Sequence, residues 1–258
     1  MKYLFFILIS ISFISCESTK NEEDPIVTDK PEEAPVGTLE EQLTRQICSK
    51  LKISAIEKYD LKIYKEELNR DDSTDWIITV NLKDRAINEA IENGKTAKMA
   101  EIGFLGNYNY FFFVDGKTKE LSKEVVVPSS AKAELIIGFE NITSQIHKDF
   151  VVDYKIRNSR RRRFYAINNN SPLQVCENVI FYNLGLDGKE TESYVIEYVN
   201  HESNASNDIV VYEGSLEQIK LEAPDDVYAI VPEIKSTGKI DRIWHYSPQQ
   251  RKYYMVQP

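Results

Sequence analysis

The hydrophobic pattern of this chain opens with one unbroken run and then settles into two different periods. Residues 3–14 are largely apolar, Lys2 precedes them, and Ser15-Cys16 closes the run. As a helix it would reach roughly 18 Å, well short of a hydrocarbon core of about 30 Å. Residues 1–15 therefore read as a signal peptide rather than a span. From Leu39 the apolar positions follow helical spacing, with Leu39, Leu43, Ile47 and Leu51 on one face and Thr38 and Glu41 placed as a capping box. A second helix is expected over 84–100, capped by Asp84 and apolar at Ala86, Ile87, Ala90 and Ile91, with Gly94 weakening its far end.

Elsewhere the period is two. Tyr59, Leu61 and Ile63 alternate with Asp60 and Lys62, and β-rich runs occupy 76–82, 108–114, 125–127, 135–139, 150–156, 164–167, 179–182, 194–196, 209–212, 227–231, 240–246 and 253–256. Asp115-Gly116 and Asp187-Gly188 mark two hairpins, since both central positions of a type I′ turn need positive φ. The predicted fold class is mainly β. Antiparallel sheets, arranged as a degenerate propeller or a sandwich, would carry one or two amphipathic helices near the N-terminus. A faint echo runs through the strands: Asp75, Glu134, Asp149 and Asp208 each stand before three apolar residues. Their separations follow no fixed period, so chance is an alternative to repetition.

Composition changes this picture at one end. Residues 17–41 hold nine carboxylates, two lysines and three prolines, too little apolar surface to offset chain entropy. Residues 16–37 thus read as an acidic tether, and 38–258 as the mainly β domain, with a helix-containing N-terminal part over 38–105. The net charge of −9 resides mostly in the tether. It argues nothing about the domain's ligands.

Candidate chemistry is sparse. Glu67, Asn69, Asp71 and Asp75 fall at positions one, three, five and nine of one loop before a strand, and a hard cation such as calcium takes six to eight oxygens, some of them backbone carbonyls. The alternative is a polar loop whose Asn and Asp side chains bond their own backbone. A basic run, Lys155, Arg157, Arg160, Arg161, Arg162 and Arg163, offers bidentate donors to an anionic glycan, a lipid headgroup or a partner protein, or else forms a solvated or acid-paired hairpin around Asn158-Ser159. Cys48 and Cys176 are candidates for a disulfide, or for simple burial. Trp244, Tyr246, Tyr253 and Tyr254 would form a sugar-stacking face or the aromatic side of a closing hairpin. His147, His201 and His245 are the only histidines, and no His-Glu-x-x-His, Gly-x-Ser-x-Gly, Cys-x-x-Cys or phosphate-binding glycine loop occurs. An enzyme would have to assemble across strands, for example His245 with a distant carboxylate.

Two resemblances add to this reading. Phe13-Ile14-Ser15-Cys16 resembles the lipobox of bacterial lipoproteins, with Phe13 where leucine is usual. That resemblance implies acylation of Cys16, an anchor of two or three acyl chains and residence in the outer membrane. The acidic stretch after Cys16 is similar to the surface-export signal of Bacteroidetes-type lipoproteins, which leaves the periplasmic and cell-surface faces both open. The loop from Glu67 to Asp75 resembles the calcium loop of FG-GAP-like β-propeller repeats, with Glu67 in place of aspartate and Asp72 in place of the turn glycine. It implies Glu67, Asn69, Asp71, Asp75 and the Ser73 carbonyl as ligands. The functional expectation is a lipid-anchored, non-catalytic binding or scaffolding module, partnered by an envelope protein or an anionic glycan and not by nucleic acid; the alternative is an envelope hydrolase acting on glycan or peptide. Cys16→Ser in the precursor is expected to abolish partitioning into a detergent phase, and unchanged partitioning would rule acylation out.

Overall fold

A computed structural model describes residues 37–93, 99, 101–200, 205–217 and 219–256. Cys16, the signal peptide and nearly all of the tether lie outside the described residues. The chain divides into two units, 1–42 and 43–258. In the first, the capping box forms as expected: the Thr38 N–H donates to Glu41 Oε2 at 2.9 Å, and the Glu41 N–H donates to Thr38 Oγ1 at 3.3 Å. These bonds satisfy donors at the start of α1 (Leu39–Lys50) that the helix itself leaves orphaned.

The second unit is mainly β. A four-stranded antiparallel sheet contains β1 (Asp60–Glu66), β2 (Asp75–Asn81), β3 (Asn109–Val114) and β4 (Val125–Val126) in that order, with α2 (Lys83–Glu92) inserted after β2. An eight-stranded antiparallel sheet contains β5 (Ile136–Glu140), β6 (Asp149–Ile156), β7 (Ser159–Asn168), β8 (Ser171–Tyr182), β9 (Glu192–Asn200), β10 (Asn207–Ser215), β11 (Lys235–Ser247) and β12 (Lys252–Val256). Within each sheet every strand pairs only with its neighbours in sequence. The larger sheet narrows sharply at β8–β9, where only Phe181↔Ser193 and Tyr182↔Glu192 are partnered. It therefore behaves as two four-stranded halves, β5–β8 and β9–β12.

Two cores follow from the alternation of side chains. Ile77, Phe111 and Phe113 of the first sheet meet Ile137, Phe150, Val152, Tyr154 and Tyr165 of β5–β7. The Phe111 ring stands edge-on to both Phe150 and Tyr165, 5.6 and 5.1 Å away, a geometry that favours aromatic quadrupoles. Their immediate neighbours in sequence on β6 and β7 point the other way. Val151 and Phe164, with Val175 and Cys176 of β8, meet Ile209, Val211, Trp244 and Tyr253 of the last four strands. Three four-stranded meanders are thus stacked face to face, β5–β8 lying in the middle. On the far side of the first sheet Ile78, Val80 and Phe112 are also buried, as are Leu43, Ile47, Ala86 and Ala90 of the two helices.

Several sequence expectations meet a different local outcome. Asp115-Gly116 does not form a two-residue turn, because Asp115 Oδ1 accepts the N–H groups of Lys117 and Thr118 and the chain turns later, at Lys119 with φ 62°. Asp187-Gly188 lies within a longer β8–β9 connection in which Gly185 and Gly188 take positive φ. The tight two-residue hairpins are instead β6–β7, which turns at Arg157-Asn158 close to the hairpin expected around Asn158-Ser159, and β7–β8, where Asn169 and Asn170 have φ 49° and 53°, values that asparagine tolerates better than most residues. Residues 227–231, expected as a strand, hold a short 3₁₀ turn over Asp226–Tyr228. The second helix takes no cap from Asp84; the Lys83 N–H donates to Asn81 Oδ1 at 3.0 Å. Gly116 has a strict steric role, since a Cβ there would lie 2.2 Å from the Thr74 carbonyl oxygen. Gly116→Ala is expected to lower the unfolding free energy by about 2 kcal/mol or more, read as a shift of the urea midpoint; an unchanged midpoint would contradict this close approach.

Candidate functional site

Asp75 and Asp149 are the first residues of β2 and β6 and Asp208 is the second of β10, so three of the four echo carboxylates stand at the start of the second strand of a four-stranded meander. All three are nearly inaccessible. Asp75 Oδ2 accepts the N–H groups of Leu68 and Asn69 at 2.9 and 3.0 Å, and Oδ1 accepts the Gly116 N–H at 2.7 Å. Asp149 Oδ2 accepts the Thr143 N–H at 2.5 Å and its hydroxyl at 2.9 Å, and the carboxylate also accepts the Ile142 N–H. The donors stand six and seven residues upstream in both cases, and the residue seven back, Leu68 or Ile142, is buried in the adjoining core. Each carboxylate thereby folds the incoming loop over the mouth of its strand. Asp208 departs from this scheme, its Oδ1 lying 2.7 Å from Nδ1 of His245 on the neighbouring β11. Glu134, the fourth echo, precedes a first strand and forms an exposed pair with Lys62 instead.

Burial raises the pKa of Asp75, against the lowering effect of the Gly116, Leu68 and Asn69 N–H groups. Burial pushes Asp149 up to about 6, again opposed by its Thr143 and Ile142 donors and by the charge of Arg70.

The loop proposed for calcium is knit together by these same bonds. Asn69 Nδ2 donates to Asp115 Oδ2 at 3.1 Å, Asp71 Oδ1 accepts the Ser73 N–H at 3.0 Å, and Glu67 is exposed. Asp72, at the position of the turn glycine in the resembled repeats, takes φ 57°. Among the described residues no group of three or more His, Cys, Asp or Glu side chains is placed to hold a metal ion.

The basic run is divided between two faces of β7. Arg160 Nη2 reaches Asp153 Oδ2 at 2.5 Å and Arg162 Nε reaches Asp153 Oδ1 at 2.7 Å. On the opposite face Arg161 and Arg163 reach the two oxygens of Glu177 at 3.1 and 2.8 Å. Arg157 lies over the Phe104 ring, 4.3 Å from its centre. Lys155 Nζ donates to the Val227, Tyr228 and Ile230 carbonyls, each within 3.0 Å, which holds that segment in its 3₁₀ turn. Burial, with the charge of Arg160, pushes this ammonium down to about 8. The six cations are therefore spent largely inside the fold rather than gathered into one exposed anion patch.

The pairing of Cys48 with Cys176 is not made. Both are free: Cys48 donates to the Tyr59 hydroxyl oxygen at 3.5 Å, whereas Cys176 is buried in the second core, where desolvation pushes its thiol up to about 12. Trp244 and Tyr253 also serve that core. The Trp244 N–H donates to Asn178 Oδ1 at 3.0 Å, and the Tyr253 hydroxyl donates to the Ile142 and Asn207 carbonyls. Tyr254 is half exposed. His201 lies outside the described residues.

Side chains from several loops meet at one end of the stack. A cleft of about 450 Å³ is lined by Arg70 from the β1–β2 loop, His147, Lys148 and Asp149 from the β5–β6 loop, and Tyr246 and Arg251 beside the β11–β12 turn. All three meanders contribute to it. Arg251 Nη1 donates to Asn168 Oδ1 at 2.6 Å. Among the described residues, Arg70, His147 and Lys148 have no side-chain hydrogen bond or ion pair with the protein. Sequence reading named His147 but missed Arg70, Lys148 and Arg251, which lie in three separate loops and form no run.

Comparison with known proteins finds no matching family model, no matching curated protein and no matching solved structure.

The raised pKa of Asp149 has a signed consequence. Its folded value of about 6 exceeds the unfolded value near 3.8, so the native state holds a proton that the unfolded chain gives up, and stability falls as pH rises from about 4 to about 6. Relative to Asp149→Asn, the wild type is expected to lose about 2–3 kcal/mol across that window. Parallel urea curves for the two proteins at pH 4 and pH 7 would contradict this assignment.

Proposed function

We propose that this chain is a non-catalytic binding module, held at the cell envelope by an acylated Cys16, and that the loop-end cleft is its ligand site. The anchor rests on the lipobox resemblance and on the leader's length. The ligand site rests on a single observation. One recess draws loops from all three meanders, and its lining includes Arg70, His147 and Lys148, whose side chains make no hydrogen bond or ion pair with the described residues. Loops on a rigid scaffold are where proteins place recognition groups, and recesses of a few hundred Å³ with convergent polar groups are the usual form of a ligand pocket.

One contact favours a second reading, an envelope hydrolase. Asp208 is 1% exposed and lies 2.7 Å from His245 Nδ1, the relation by which a buried carboxylate orients a catalytic imidazole. The two readings separate by experiment. The mature chain is screened against envelope glycans and peptides, for capture and for turnover, beside an Asn168→Trp variant that fills the cleft mouth. Capture without turnover, weakened at least tenfold in Asn168→Trp while its melting temperature stays close to wild type, is the expected result. Equal capture by both proteins would remove the cleft from the account, and turnover abolished by His245→Ala would favour the hydrolase.

A further inference from the structure

We infer that the ligand of this cleft is an acidic glycan, a sugar polymer bearing carboxylate or sulfate groups, an inference that rests on the reading of the cleft as the ligand site. Most of the other described arginines, and the buried Lys155, are satisfied inside the fold. Arg85 is paired with Glu57, Arg160 and Arg162 with Asp153, Arg161 and Arg163 with Glu177, and Arg242 with Asp241. Lys155 is bound by three carbonyls and Arg157 by an aromatic face. The cleft breaks this pattern. Arg70, Lys148 and Arg251 enter it from three loops, and among the described residues none of them makes a direct ion pair; the charge of Arg70 acts on Asp149 without a contact, and Arg251 donates to the Asn168 amide oxygen.

Among the described residues, Asp149 is the one carboxylate in the lining. Its oxygens are turned to the N–H and hydroxyl of Thr143. Three cations thus face the recess against a single buried and internally engaged acid. Guanidinium groups bind carboxylate and sulfate oxygens in pairs, in a fork geometry that water does not match.

The remaining wall selects the class of anion. Tyr246 lines the same recess, half-buried, with its ring 5.2 Å from that of Tyr253, which fixes its orientation. A fixed aromatic face suits the C–H face of a sugar ring. Nucleic acid is disfavoured, since single strands are bound by successive aromatics along a basic groove and this lining presents one. The cations are also dispersed over separate loops, so they meet charges spaced along a chain better than one compact phosphate.

The experiment uses the mature chain with Cys16→Ser, titrated with polygalacturonate, with a sulfated polysaccharide, with neutral dextran, and with vesicles containing phosphatidylglycerol. Binding to an acidic polymer but not to dextran is expected, and it should weaken at least tenfold between about 50 and about 300 mM salt. It should also weaken at least tenfold in Arg70→Glu/Lys148→Glu, while Lys189→Glu, in the distant β8–β9 connection, leaves it unchanged. Melting curves of each variant exclude loss of fold. Dextran binding that Asn168→Trp abolishes and the charge reversals spare would overturn the acidic ligand and leave the cleft standing. Acidic-polymer binding that neither Asn168→Trp nor the reversals affect would overturn both. Vesicle binding without polymer binding would assign the cations to a lipid headgroup, and absence of binding to either acidic polymer would overturn the inference outright.

Discussion

A carboxylate buried at the mouth of an inner strand is the constraint from which the rest of this domain follows. Asp75 and Asp149 each collect backbone N–H groups from six and seven residues upstream, and Asp75 collects a third from Gly116 across the sheet. Burying such a group without donors would cost several kcal/mol. Supplied with donors, it fixes the path of the loop and seats Leu68 or Ile142 in a core. The same device thus sets the strand start, closes the end of each sheet interface and aims the loop that lines the cleft. Leaving those N–H groups unpaired in the interior would be the expensive alternative.

Charge is treated in the same economical way along β7. Alternate arginines point to opposite faces, and each face carries one acid, Asp153 or Glu177, able to receive two guanidinium groups. A tract that looks like one electropositive patch in sequence becomes two small internal networks when the period is two. Surface positive charge is left to residues whose neighbours in sequence gave no hint of it.

Much of the architecture was legible beforehand, and the failures have identifiable physics. The mainly β class, the antiparallel pairing, the capping box and at least part of every described strand followed from period and propensity. The first half of β8 did not, because Pro172 and the polar residues around it hide a strand that is paired on one side with β7. The segment 227–231 has strand-like composition, yet Lys155 takes its carbonyls, a tertiary contact that overrides local preference. The echo of aspartates carried real structural information at Asp75, Asp149 and Asp208 but not at Glu134, and only the strand order distinguishes them. The cleft was almost invisible, since its cations come from positions that become neighbours only after three sheets have stacked.

The uninterrupted nearest-neighbour order of the strands bears on how the chain acquires its shape. Every ladder forms between strands adjacent in sequence, so hairpins can zip up one after another with small loop-closure penalties as residues emerge from a ribosome. The final fastening arrives late. Tyr253, almost at the terminus, must reach back to the carbonyl of Ile142, 111 residues earlier, to close the second core. A nascent chain would therefore hold two finished layers and an unsealed third, and the two-pair neck between β8 and β9 is the natural seam at which that last layer would also be the first to open.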